Sequence, residues 1–472
     1  MTIVPSWRLR AEFAQSMSAV YGTEVPAYTT LLDVCAEVNA AVLRADGARA
    51  RRLGEPERVH VERHGAIRVG TPGELAQVAR VFGAMGMYPV GFYDLRDAAR
   101  SAVPVVSTAF RPIAADELAR NPFRMFTSLL TPADRRFFDE DLEVRIGRFL
   151  AGRRLFGAEL LDLADRAERD GGLVPEAARR FVTLATAAFA LSREPIDRAW
   201  YAELSAVSAV AADIAGVTST HINHLTPRVL DIDLLYARMG ERGIAMIDRI
   251  QGPPRWDGPD VLLRQTSFRA LDEHRPMREP DGTIGTGAVR VRFGEVESRG
   301  IALTPAGRAH YDAALVEADT LAAASPVLPA DAARAVWEQR FPREETQLVL
   351  DGLGYATFTA ASGARPREGR DLAGLLADGA LQMQPIVYED FLPRSAAGIF
   401  QSNLTGEGRK DGSRSGTLLD AGWMAGVLDR PLHDPYALYA AQQDRSLRGA
   451  AHALGLAEPP PLVAAGAETA RS

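Results

Sequence analysis

Cysteine is nearly absent: Cys35 stands alone among 472 residues, so no disulfide can form within the chain. A lone thiol of this kind reads as a small core side chain in a reducing compartment. Long apolar runs are also missing. The most apolar segment, Leu204 to Val217, is interrupted by Asp213 and falls short of the roughly 20 residues a membrane span needs. Met1 to Ser16 lacks the apolar core and small-residue cleavage site of a secretory leader, so a cytoplasmic protein is expected. Nor is there an excess of positive charge. Lys and Arg number 54 against 61 Asp and Glu, for a net charge of −7 and an isoelectric point near 5.7. That balance argues against nucleic-acid or anionic-membrane partners, which need a basic face, but leaves room for a local basic pocket.

The remainder is ordinary for a globular protein, with 47% hydrophobic and 24% charged residues and enough length for two or three domains. Two short stretches read as copies of one another. His64-Gly65-Ala66-Ile67-Arg68-Val69 and His224-Leu225-Thr226-Pro227-Arg228-Val229 share the frame His, three residues, Arg, Val. A hydroxyl or acid follows two residues after each Val (Thr71, Asp231), and then a helix-type run ending in a glycine turn. Such repetition is the first thing to seek, because missing it misassigns the fold. In an extended segment residues i and i+4 share a face, so His64 and Arg68 point together, as do His224 and Arg228 in an unbroken strand. Two such units packed pseudo-symmetrically can bring both histidines to one place.

A carboxylate completes the set. Phe293-Gly294-Glu295-Val296-Glu297-Ser298-Arg299 follows the alternating run Ala288 to Arg292, a strand signal. Two imidazoles and one carboxylate on strand ends are the facial triad of non-haem Fe(II) oxygenases. These units resemble the vicinal oxygen chelate superfamily, whose βαβββ modules each donate a first-strand His, joined by a last-strand Glu. Phe-Gly-Glu-x-Glu-x-Arg resembles the ligand strand of its dioxygenases, where the carboxylate lies four residues before an Arg. The resemblance therefore selects Glu295 over Glu297 and gives His64, His224 and Glu295 as metal ligands. His221 would face away from His224 on a regular strand and is taken to support the ligands. A bulge near Asn223 would exchange the two histidines.

Longer stretches narrow the match: Arg63 to Arg68, Asn121 to Leu130, His221 to Arg228, and Val387 to Leu404. Together they resemble the 2-oxoadipate dioxygenase/decarboxylase family, also called hydroxyglutarate synthase, from about Ser16 to Ala453. The resemblance implies an Fe(II) enzyme of lysine catabolism that converts 2-oxoadipate, or a similar 2-oxo diacid, and O2 to 2-hydroxyglutarate and CO2. It also implies a substrate loop, Phe391 to Phe400, in which Arg394 and Ser395 bind the substrate carboxylate. Arg394 departs from the small apolar residue expected there, which bears on chain-length preference. Arg68 is the candidate catalytic clamp, because it shares a strand face with His64 and its fork matches a carboxylate. Arg124, in Asn121-Pro122-Phe123-Arg124, reads equally as functional or as a solvated arginine at a helix start. Arg228 reads equally as a second clamp or as structural. Glu389 and Asp390 read as a solvated turn, with a proton donor as the alternative.

The fold class expected is α+β: two βαβββ modules forming a metal-binding β core, with a large helical insertion and further helices. The division is 1–58 helical, 59–113 first module, 114–215 helical insertion, 216–310 second module, 311–456 C-terminal helices and substrate loop, and 457–472 disordered tail. Pattern gives a helix from Arg8 to about Arg52, one from Pro72 to Ala84 capped by Thr71, strands at Tyr88–Leu95 and Val103–Phe110, and helix almost throughout 114–215. In the second module it gives strands at His224–Leu230, Val261–Phe268 and Ala288–Glu297. Two other chemistries fit the scaffold. One is a redox-neutral metal-dependent lyase or isomerase; the other is a ligand-binding protein without turnover.

Overall fold

The structure is a computed structural model that describes residues 3–47, 51–97, 102–270, 273–289, 292–324, 328–364, 369–392, 410–411, 413–414 and 416–462. Arg394, Ser395 and the tail from 463 onward lie outside the described residues. Strands in chain order are β1 (Val4–Pro5), β2 (Arg63–Val69), β3 (Tyr88–Asp94), β4 (Val105–Arg111), β5 (Arg124–Leu130), β6 (Gly172–Leu173) and β7 (Ile196–Asp197). There follow β8 (His224–Pro227), β9 (Leu263–Ser267), β10 (Glu273–Arg278), β11 (Ile284–Val289), β12 (Glu295–Arg299), β13 (Ala356–Ala360) and β14 (Leu381–Pro385). With the helices between them they make a mixed α+β protein.

Five of these strands form the sheet that organises the rest, in the order β3-β4-β5-β2-β8. After β2 the chain enters the helix Pro72–Gly83 through a complete capping box. Thr71 accepts from the Glu74 amide, Glu74 accepts from the Thr71 amide, and Pro72 occupies the first turn. It returns as the antiparallel pair β3–β4, then as β5, which lies parallel to β2. Strand β8 pairs antiparallel on the other side of β2. Farther on, β9 pairs with β12, and a parallel bridge from Arg228 to Glu297 places the end of β8 beside β12.

Alternation along each strand divides the sheet into two faces. Ile67, Val69, Val106, Phe110, Met125, Leu129 and Leu225 belong to the main core, which includes the helices Ser6–Glu24, Pro26–Ala45, Pro72–Gly83, Ala158–Asp170 and Pro175–Ala188. The opposite face carries His64, Ala66, Arg68, Arg124, Phe126 and Ser128. Its apolar members pack with side chains of the helices Glu140–Ala151, Arg198–Val207 and Ala209–Ala215. Polar groups on a face this deeply covered need partners in protein, and Arg68, Arg124 and Ser128 each make at least one such bond.

Several expectations change in three dimensions. The first helix divides at Pro26, whose missing N–H ends the hydrogen-bond ladder. His60 and Val61, which the pattern places in the first module's strand with His64 and Ile67, belong to the helix Pro56–Val61, and β2 starts only at Arg63. The expectation of helix across 114–215 fails at β5, a buried seven-residue strand that holds the centre of the sheet. Strand β8 stops at Pro227, short of Leu230. The expected continuous strand Ala288–Glu297 is two elements, β11 and β12. Between them Gly294 packs so tightly that a Cβ there would lie 1.7 Å from Cε1 of Phe268. Gln347–Phe358, where Gly352 and Gly354 predict a strand pair or loop, is the helix Glu345–Leu350 followed by β13. Cys35 is buried, as expected, and burial pushes its thiol up to about 12.

Candidate metal centre

Register brings the two histidines together. On the antiparallel pair β2–β8, His64 lies opposite Thr226 and Ala66 opposite His224, so the ladder is symmetric about the pair Gly65–Leu225. That symmetry is the repeat of the sequence expressed as geometry. The imidazoles meet edge to face with centroids 5.4 Å apart. Glu295, first residue of β12, reaches both: its Oε1 is 3.6 Å from Nε2 of His64 and its Oε2 is 3.6 Å from Nε2 of His224. One ligand atom from each of the three lies within 4.8 Å of the others, and all three side chains are buried.

The outer nitrogens are also engaged. Nδ1 of His64 lies 3.1 Å from Oε1 of Glu297, and Nδ1 of His224 is 3.0 Å from Oγ1 of Thr226. Each ring thus has a polar neighbour beside its Nδ1 and turns Nε2 inward, the arrangement by which metal-binding histidines are oriented. Burial, reinforced by the positive charge of Arg68, holds His224 well below its ordinary pKa, leaving a neutral imidazole with a lone pair to donate. Burial raises the Glu295 carboxyl, a sign that its negative charge is under-compensated by protein. A cation among these three groups would relieve that. Donor types, spacing and burial fit a divalent metal.

Apolar rings wall the cluster. Phe391 meets His64 edge-on at 5.0 Å, and Phe293 stacks on His224 at 5.3 Å. Tyr21, from the first long helix, donates to the carbonyl oxygens of Asn223 and Phe293. One hydroxyl therefore pins the backbone just before His224 and just before Glu295. Nothing local in the sequence marks Tyr21 for this role.

Arg68 sits in a second buried cluster beside the first. Its Nη1 donates to Asp213 Oδ2, which also accepts from Asn223 Nδ2 at 2.9 Å. His221 Nε2 stands 3.1 Å from Asp213 Oδ1, outside the His64–His224–Glu295 group. Asp213, the acid that interrupts the apolar segment, is therefore the partner of both Arg68 and His221. Burial alone would raise its carboxyl, but His221 and Arg68 outweigh burial and lower it.

A third group of charges lies on the other flank of His64. Glu62 accepts from Arg124 Nη2 and Arg228 Nη1, each at 2.8 Å. Glu389 accepts from Arg58 and Arg124, and Asp390 from Arg111. The solvated turn expected at Glu389 and Asp390 is instead almost fully buried, because arginines from distant elements come to meet it. Arg124 and Arg228 are likewise buried ion-pair partners here, and Arg228 also donates to the Leu53 carbonyl.

The family model for 2-oxoadipate dioxygenase/decarboxylase matches residues 13–403. The chain belongs to that family. A Mycobacterium bovis 2-oxoadipate dioxygenase/decarboxylase is 56% identical over 445 residues, covering 93% of this chain and 97% of the relative. Its Pseudomonas putida counterpart is 40% identical over 462 residues, covering 95% and 97%. Among solved structures, the hydroxyglutarate synthase of Pseudomonas putida in complex with 2-oxoadipate superposes with a TM-score of 0.81 at 37% identity, covering 96% of this chain and 99% of that one. Among the described residues, no helix is long and apolar enough to cross a membrane.

Proposed function

We propose that this chain is an Fe(II)-dependent dioxygenase/decarboxylase that converts 2-oxoadipate, or a closely similar 2-oxo diacid, and O2 to 2-hydroxyglutarate and CO2. The observation that carries the reading is the buried cluster of His64, His224 and Glu295 in a chain of this family. Two imidazoles and one carboxylate favour iron among the common divalent metals and leave coordination positions free for substrate and O2. Bound iron would supply chelation of the 2-oxo acid and activation of O2.

The chain's own residues do the rest. His64, His224 and Glu295 fix the metal on one face, and Phe391 and Phe293 keep water from it. Arg68 grips a substrate carboxylate through its planar fork, and Asp213, with His221 and Asn223 behind it, holds that fork in place. Arg394 and Ser395 complete substrate binding in this reading. The atoms balance: one oxygen of O2 enters the carboxylate made from the keto carbon, the other becomes the new hydroxyl, and C1 leaves as CO2.

The topology supports two vicinal-oxygen-chelate modules joined through β2 and β8. The first comprises β2, the helix Pro72–Gly83, β3, β4 and β5, and so extends to Leu130, past the boundary expected at 113. The second comprises β8, the helix Ile232–Glu241, a segment around Met246–Gln251 that bridges β9, and then β9 and β12. A cytoplasmic place in lysine catabolism follows from the same reading.

The test is anaerobic loading with Fe(II), addition of 2-oxoadipate, and simultaneous measurement of O2 uptake and CO2 release. Equimolar O2 uptake and CO2 release, with 2-hydroxyglutarate as product, is expected. Turnover without O2 would instead identify a redox-neutral lyase, and binding without turnover a sequestering protein.

A further inference from the structure

Beside Glu295, and two residues along the same strand face, stands a second carboxylate that the reaction itself does not use. Glu297 is 1% exposed and is gripped by both prongs of Arg299, Nε to Oε1 at 2.6 Å and Nη2 to Oε2 at 3.0 Å. Arg299 is itself fixed, donating through Nη1 to the carbonyls of Tyr388 and Asp390 at 2.7 and 3.1 Å. Glu297 therefore has little freedom to turn, and its Oε1 stays 3.1 Å from Nδ1 of His64. The corresponding place on the other histidine is filled by an uncharged group, the hydroxyl of Thr226. Two imidazoles related by the repeat thus have unlike supports, one anionic and one neutral.

We propose that Glu297 is a positioning residue, which fixes His64 with its proton on Nδ1 and its lone pair on Nε2, and that its charge makes His64 the stronger-donating of the two histidines. This rests on the metal-centre reading above. An ionised acceptor makes a stronger hydrogen bond than a neutral one, and it transfers electron density through the ring to the ligating nitrogen. Thr226 orients His224 but adds no charge. Arg299 keeps the arrangement from costing stability, because it holds the buried carboxylate ionised and stops it from turning to compete as a ligand.

The experiment measures cobalt(II) affinity of the metal-free protein through the visible band of the bound ion, together with the melting temperature of each apo variant. Glu297→Gln keeps the shape and removes the charge. It is expected to weaken cobalt binding by about tenfold to a hundredfold, with the band shifted and the apo protein still melting in a cooperative transition. Thr226→Val is expected to weaken binding less than Glu297→Gln does. Cobalt binding by Glu297→Gln within twofold of wild type, or a larger loss in Thr226→Val, would overturn the proposal. Should Glu297→Gln not fold, Glu297→Asp retracts the carboxylate from Nδ1 while keeping a charge for Arg299, with the same expectation and the same refutation. His64→Ala separates this idea from the reading beneath it: if cobalt binds wild type and His64→Ala equally, the metal centre itself is misplaced.

Discussion

In β2 the arginine four residues after the histidine, Arg68, donates to Asp213, an acid carried by the helix Ala209–Ala215. In the matching position after β8, Arg228 donates instead to Glu62 and to the Leu53 carbonyl. The sequence frame is the same and the destinations differ, because β2 runs on to Val69 in the middle of a sheet whereas β8 stops at Pro227. Proline has no N–H to continue a ladder, and beyond it the chain makes a parallel bridge from Arg228 to Glu297. One half of the repeat keeps its arginine beside the His64–His224–Glu295 cluster, and the other has its arginine as a buried strut. A duplicated unit can hold a shared ligand set while its flanking positions drift to separate duties.

The deepest test of this comparison lies where the halves still agree. His224→Ala should lose the bound metal and bring turnover to background, as His64→Ala should, because each removes one of three protein ligands. Metal content of the purified variants checks it. A His224→Ala protein that kept its metal would break the pairing of the two strands.

Where the halves diverge, the effects should separate by kind. Arg228→Ala removes one partner of a buried ion pair and should cost about 3–5 kcal/mol of folding stability, read as a lowered denaturation midpoint. The same network sets an acid limit. Burial would raise Glu389, but Arg58 and Arg124 overcome it and hold its pKa to about 2, below the roughly 4.3 of an unfolded glutamate. Its contribution is therefore present above the unfolded value and is lost as pH falls through the folded one. A steep fall in melting temperature between about pH 4 and 2 is expected from this shift; a flat profile there would show that the network adds nothing.

Arg68→Lys should instead leave stability and metal content nearly intact and strike the reaction. A lysine keeps the charge but not the two-pronged geometry, so the loss should be about 1.5–3 kcal/mol, or roughly tenfold to a hundredfold in kcat/KM for the diacid. Monocarboxylic 2-oxo acids locate the grip. If Arg68 holds the distal carboxylate, those analogues are already poor substrates and the change harms them little. If it holds the 2-oxo acid end, both classes suffer alike. Unchanged kinetics on the diacid would remove Arg68 from the site.

What was legible in the chain was what local signals or repetition encode. The helix after β2 announces itself through Thr71, Pro72 and Glu74, and all three act in its first turn. The histidine pair was visible because the repeat supplied a register that composition never could. Strand β5 was not legible. Arg124–Leu130 has no polar alternation, since both of its faces are buried, and its parallel partner β2 lies far away in the chain. Glu389 and Asp390 looked solvated because adjacent acids normally are; only the fold brings Arg58, Arg111 and Arg124 to them. Asp213 shows in the sequence only as an interruption in an apolar run, and its partner cannot be named there because Arg68 lies on another element.

The smallest expected effect belongs to His221, three residues before His224 and the residue most easily mistaken for it. It stands 3.1 Å from one oxygen of Asp213, whose other oxygen accepts from Arg68. With Arg68 as the proposed substrate grip, its influence on substrate passes through two side chains. Removing it leaves Asp213 with Arg68 and Asn223 still in place, so the carboxylate loses one of three supports. His221→Ala should keep its metal and raise KM for the diacid by about threefold to tenfold, the worth of one ordinary hydrogen bond, on the order of 1 kcal/mol. That is less than Arg68→Lys, and it should not add fully to it, because the two residues act through the same acid. Measuring metal content and KM in the single and double variants decides the matter. If His221→Ala lost the metal and His224→Ala kept it, the segment before β8 would be bulged in solution, and the two histidines would exchange places.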